Sequence, residues 1–147
     1  MSTAPSAVVD ADSPKAPRRL RLSLWLLRAV ITVHLISALA QPVLAGRFLS
    51  GDIDAIDLHG NNGIIVLTVT ELVMILAAFV YVVFGHGRVW ILVAAVLLFP
   101  ITTVQGGFGF SRTLQIHIPL GVAIVTASVL LAMWVWSPSA ARPRMAR

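Results

Sequence analysis

The chain has 147 residues, 58% of them hydrophobic and 12% charged, with a net charge of +5 and no cysteine. A soluble domain carries about 25% charged side chains, so this composition belongs in a membrane. The lack of cysteine excludes disulfides, thiolate-held iron–sulfur clusters, a thiol nucleophile and covalent haem attachment. Any chemistry must use histidine, carboxylate, amide or a bound cofactor.

In chain order, the opening MSTAPSAVVDADSPKAP is rich in small residues and proline and has no apolar periodicity. It reads as a disordered cytoplasmic tail that turns basic and ends at residue 21. It lacks the leading basic region and short apolar stretch of a secretory signal. Four apolar segments follow, at about 22–46, 63–84, 89–105 and 116–136. Each is close to the roughly 20 residues that cross a bilayer as a helix. Nothing alternates as barrel strands do, and lipid tolerates no open strand edges. The predicted fold is therefore all-α, a bundle of four transmembrane helices over 22–136, followed by a basic tail at 137–147.

Basic residues on short loops set orientation. Lys15, Arg18, Arg19 and Arg21 precede the first span, Arg88 separates the second and third, and Arg142, Arg144 and Arg147 follow the fourth. The opposite side holds Arg47 and Arg112 with Asp52, Asp54 and Asp57. Both termini are expected in the cytoplasm, with the protein a multi-pass component of the cell membrane. The positive charge is then a collar beside anionic headgroups and requires no nucleic acid.

Two stretches share a frame. DLHGNNGIIVLT, residues 57–68, and QIHIPLGVAIVT, residues 115–126, each run polar, aliphatic, His, three variable residues, Gly, then aliphatics to Thr. With the N-terminus inside, His59 and His117 both sit where an inward-running helix leaves the outer surface. The preceding helices also close alike, with Gln41 before Gly46-Arg47-Phe48 and Gln105 before Gly106-Gly107-Phe108. Duplicated helical hairpins, related by an axis along the membrane normal, would bring two equivalent histidines to one central object.

On a helix, residues three, four, seven and eleven further on share a face. From His117 that face carries Leu120, Gly121, Ile124 and Ser128; from His59 it carries Asn62, Gly63, Val66 and Thr70. In the first span, His34 is followed by Ala38, with Ser37 and Gln41 on the same side. A small residue one turn beyond a histidine would make room for a flat macrocycle, and it would equally let two helices pack closely. His34 lies deeper than His59, by more than about 10 Å at a rise of roughly 1.5 Å per residue. An ionisable residue at that depth marks a functional site and needs a partner. Glu71, the only carboxylate inside a span, is the expected partner, giving a polar core of Glu71, His34 and Gln41.

The remaining features are structural. His86, in FGHGR, is expected in cytoplasmic solvent, and Arg28 is close enough to the inner surface to snorkel. Trp25, Trp90, Trp134 and Trp136 all fall at inner span ends as interface anchors. Pro119 is expected in the first turn of the fourth span, and Pro42 and Pro100 lie inside helices. The glycine-rich QGGFGF has no lysine of the phosphate-binding kind. No catalytic triad or metalloprotease signature is present, and the chain is expected not to be an enzyme by itself.

On His59, His117, Gly63 and Gly121, with His34 below, the chain resembles the small four-helix haem-binding units of membrane b-type cytochromes and one half of heme A synthase. It also resembles small actinobacterial-type membrane proteins, which names no activity. The first resemblance covers about 22–136 and implies one haem b with His59 and His117 as axial ligands near the outer face. It departs from heme A synthase in having half the helices and no carboxylate–histidine substrate pair. Electron transfer or haem handling with a membrane redox partner is the implied role. A cofactor-free accessory subunit of a larger complex, a homo-oligomer, and a small proton- or ion-coupled transporter using Glu71 and His34 stay open as alternatives.

Overall fold

A computed structural model describes residues 17–144. Four long helices make up nearly all of it: α1 (Arg18–Leu49), α2 (Ala55–Val83), α3 (Trp90–Phe110) and α4 (Leu114–Trp136), each long and apolar enough to cross a membrane. A short 3₁₀ turn, Pro138–Ala141, follows α4. Successive helices run antiparallel, α1 packs against α2 and α4, and α3 packs against the same two, so α1/α3 and α2/α4 are the diagonals of a square bundle. Both described ends of the chain lie at one end of it.

Helix α1 is longer than its apolar segment because good helix formers precede it. Arg18, Arg19 and Arg21 continue α1 outward, and Leu20 among them is 1% exposed. The expected tail boundary at residue 21 therefore falls inside α1, while the expected disorder of residues 1–16 lies outside the described residues. The 137–147 segment likewise begins as structure: Ala140 is buried, and Tyr81 donates its hydroxyl to the Ala140 carbonyl at 2.8 Å. The last three residues lie outside the described chain.

The largest departure is in α2, which begins at Ala55 and runs through Gly60-Asn61-Asn62-Gly63, four residues of low helix propensity. It does so by widening into a π turn at Asn62–Leu67 before resuming α geometry at Thr68. Packing supplies what propensity lacks. Ser37 Oγ donates to Asn62 Oδ1 at 2.8 Å, and Asn62 Nδ2 donates to the Ser37 carbonyl at 2.9 Å, a reciprocal clamp between α1 and α2. Helix α4 begins at Leu114, so Pro119 sits in its second turn and not its first.

The interior is divided along the bundle axis. Toward the chain ends it is apolar, with Leu24, Leu27, Ile31, Met74, Ala78, Tyr81, Ile91 and Val135 closely packed. Toward the other end the buried side chains turn polar: His34, Ser37, Glu71, Thr102 and Ser128. Outward faces expose Ile36, Leu76, Leu97 and Met133 at 56–67%. That apolar belt suits lipid and would be an aggregation surface in water.

The turn between α2 and α3 is held close under the apolar half. A Cβ at Gly87 would strike the Tyr81 ring, and one at Gly85 would strike Ser23 and the Tyr81 carbonyl. His86 between them is exposed, as expected, with a φ of 54°.

Candidate functional site

At the bundle end remote from the chain termini, α2 and α4 carry His59 and His117 toward each other across the diagonal. Their ring centroids are 6.1 Å apart with an interplanar angle of 66°. Both rings are partly buried.

Each ring is fixed by the preceding helix of its own hairpin. His59 Nδ1 lies 3.1 Å from the Gln41 carbonyl oxygen, and His117 Nδ1 lies 2.9 Å from the Gln105 carbonyl oxygen. A carbonyl can only accept, so Nδ1 carries the proton in both rings and Nε2 is left with its lone pair. A carbonyl that accepts from Nδ1 in this way orients an imidazole and leaves its other nitrogen free to ligate a metal.

The two glutamine side chains are alike in place but not in bonding: Gln41 Nε2 donates to the His59 carbonyl at 3.2 Å, whereas Gln105 Nε2 is directed at the ring, 3.4 Å from His117 Nε2. A Cβ at Gly63 would lie 3.1 Å from Gln41 Nε2, and one at Gly121 would lie 3.2 Å from Gln105 Nε2. In each hairpin a glutamine amide therefore rests over the glycine one turn beyond the histidine. The loosely matching helix ends of the sequence are these two glutamines.

Gly109 was not singled out by the sequence pattern. The backbone of α3 passes so close to His117 that a Cβ at Gly109 would lie 2.7 Å from Cε1 and 3.0 Å from Nδ1 of the ring. The helical QGGFGF thus serves in part to admit the imidazole.

One layer deeper, the expected His34–Glu71 pair is not formed. His34 is fully buried; its Nδ1 lies 3.2 Å from Thr70 Oγ1 and its Nε2 lies 3.1 Å from Ser128 Oγ. Both of its nitrogens are taken. Thr70 and Ser128 stand in the shared frame too, since 59/117, 63/121 and 70/128 have one common offset. His34 occupies the midline between repeats, where its own counterpart has no histidine. Glu71 instead faces α3, with its carboxyl beside the Thr102 hydroxyl; Glu71 Oε1 and Thr102 Oγ1 are both buried and fall outside good hydrogen-bond geometry.

Gln41 Oε1 is a third buried acceptor without a donor, and it belongs to the histidine layer. Among the described residues no group of three or more His, Cys, Asp or Glu gathers to hold a metal ion. The histidine layer is a two-imidazole site, with two ring nitrogens to offer but not a complete protein cage for a bare ion.

Comparison with protein-family models, curated proteins and solved structures finds no match for this chain. Its function has to be argued from its own residues.

Proposed function

We propose that the chain is a multi-pass protein of the cell membrane, with both termini cytoplasmic, that holds one haem b between His59 and His117 near the outer face. The observation that carries this is the matched pair of imidazoles, each with Nδ1 tied to a carbonyl of its own hairpin and the two rings 6.1 Å apart. Imidazoles this close on facing helices would hold one haem iron between them. The resemblance to four-helix b-type cytochrome units points the same way.

In this reading the chain's residues do separate things. His59 and His117 would hold the iron through Nε2, while the Gln41 and Gln105 carbonyls hold the tautomer and the ring planes. The Gln41 and Gln105 side chains, which rest over Gly63 and Gly121, would have to give way to the macrocycle. Haem held by His59 and His117 would supply a one-electron change. Electron transfer to or from a membrane partner, or passing haem on, is the role that follows.

The test is purification in mild detergent and absorption spectra of the oxidised and dithionite-reduced protein. A reduced b-type spectrum at one haem per chain is expected, lost in His59→Ala and in His117→Ala and retained in His86→Ala. Colourless protein after expression with ample haem, and after reconstitution with hemin, would overturn it.

One observation favours a second reading, a small proton- or ion-coupled transporter: Glu71 is 1% exposed with Oε1 unpartnered. Such intramembrane carboxylates mark ion and proton pathways. Proton-coupled flux in liposomes that is lost in Glu71→Gln, from protein that binds no haem, would establish that reading in place of the first.

A further inference from the structure

At the other end of the bundle, Arg28 of α1 is held in an aromatic clamp. Its guanidinium carbon lies 5.1 Å from the centroid of the Trp25 ring and 5.0 Å from that of Trp136. The two indoles meet edge to face at 5.5 Å. Arg28 Nε donates to the Val135 carbonyl at 2.9 Å, and Trp136 Nε1 donates to Thr32 Oγ1 at 3.2 Å. Thr32 Oγ1 in turn donates to the Arg28 carbonyl at 2.8 Å. Every part of the clamp is thereby fixed to α1 or to the last turn of α4.

These bonds leave a defined surplus. Nε satisfies one of the carbonyls that a helix end cannot bond itself, and the cation complements the negative pole of α4. The two terminal nitrogens of Arg28 carry four more N–H donors, and they have no acceptor among the described residues. Trp25 and Trp136 are 55% and 50% exposed, so the clamp opens outward. Its level is that of the last turn of α4, with Trp90 and Trp134 packed edge to face at 4.6 Å in the same band. On the lipid side at that level, the strong acceptors are phospholipid headgroup oxygens.

Charge selects among headgroups. Arg21, Trp25, Arg28 and Thr32 fall on one face of α1 at helical spacing, which sets a second, exposed arginine one turn beyond the clamp. Among the described residues every carboxylate lies elsewhere: Asp52, Asp54 and Asp57 at the opposite end, and Glu71 within the polar half of the interior. Two cations with no carboxylate between them favour a lipid of net negative charge over a zwitterion, whose own ammonium they would repel.

From this we infer that Arg28, clamped by Trp25 and Trp136 and assisted by Arg21, is a binding site for the phosphate of one anionic phospholipid at the bundle end that carries the termini. The planar guanidinium, pre-set by stacking, presents a fork that matches phosphate oxygens. The indoles fit the interface beside the glycerol backbone. The site is independent of the histidine layer at the far end.

The test uses full-length protein in a maltoside detergent, titrated with phosphatidylglycerol, phosphatidylcholine or inorganic phosphate. Bound lipid is counted by native mass spectrometry and followed by tryptophan fluorescence. One phosphatidylglycerol per chain should be retained preferentially over phosphatidylcholine, and inorganic phosphate at millimolar levels should neither bind nor displace it. Arg28→Gln should weaken retention by about tenfold or more, the loss expected for a hydrogen-bonded charge. Arg28→Lys, which keeps the charge but not the planar fork, should fall between. Arg21→Gln should weaken retention less and serves as the folded variant if Arg28→Gln loses its helical circular dichroism. Equal retention of the two lipids, or wild-type retention in both Arg28→Lys and Arg21→Gln, overturns the proposal. A response to phosphate equal to that to phosphatidylglycerol assigns the clamp to a free anion and overturns the lipid.

Discussion

At the scale of single residues, the chain separates groups that ligand chemistry would use from groups that only pack. Gly109 belongs to the first kind by its effect: a methyl there must displace the His117 ring, since the two would come within 2.7 Å. Gly109→Ala is expected to cost about tenfold or more in haem affinity, as loss of an orienting contact does, and hemin titration of the apoprotein measures it. Gly106→Ala is the matched control, because nothing lies within 4 Å of a Cβ there. Glu71 makes the opposite case. A buried oxygen without a partner costs about 1–3 kcal/mol, so Glu71→Met should stabilise the fold by roughly that amount, read as a higher unfolding midpoint in detergent. A lower midpoint would mean that the carboxyl has a partner which the apoprotein does not reveal. His34 should be more forgiving than its full burial suggests. Thr70 Oγ1 and Ser128 Oγ each have a fallback acceptor on their own helix, the Leu67 carbonyl at 3.0 Å and the Ile124 carbonyl at 2.9 Å. His34→Leu should cost about 0.6–1.7 kcal/mol, from the mean to the largest value measured for interhelical hydrogen bonds in lipid.

At the scale of the helices, how much could be read in advance depended on which force set each feature. Apolar runs long enough for lipid gave the four spans, because nothing else can satisfy their backbone in a membrane. The repeat of His, then Gly, then Thr or Ser marked the faces of α2 and α4, and the glutamine ends of α1 and α3 marked their partners. What the sequence did not carry was the continuation of α2 through Gly60-Asn61-Asn62-Gly63, which local propensity opposes and the Ser37–Asn62 clamp enforces. Nor did it carry the partner of His34, for a hydroxyl on a neighbouring helix leaves no spacing signal. The π turn at Asn62–Leu67 has its own consequence. A π turn contains one residue more than the α-helix would, and such turns recur at functional sites. Deleting Ile64, whose side chain is exposed, should restore α geometry and rotate His59 by about 100° against Thr70. Haem binding should be lost while helical circular dichroism persists; haem binding that survives would mean the π turn does not set the direction of His59.

At the scale of the whole molecule, polar and apolar halves of one bundle divide the labour. The apolar half, with its tryptophans and arginines, lies at the end that carries the described chain ends, and the polar half presents two imidazoles at the other. The even number of spans puts both described ends of the chain on one side, and the distribution of arginine is the ground for the proposal that this side is the cytoplasm. Cysteines introduced at Asp54 and at Ser139 of this cysteine-free chain should label from opposite faces of intact cells. Labelling of Asp54Cys only after permeabilisation would reverse the orientation and move the histidine layer inside. The central claim concerns that layer, and low-temperature electron paramagnetic resonance of the oxidised, haem-loaded protein tests it most directly. Paired imidazole ligation predicts a low-spin ferric signal in the wild type, replaced by a high-spin signal or by haem loss in His59→Ala and in His117→Ala alike. A low-spin signal that survives either substitution, or a wild-type protein whose bound haem is high-spin, would contradict it.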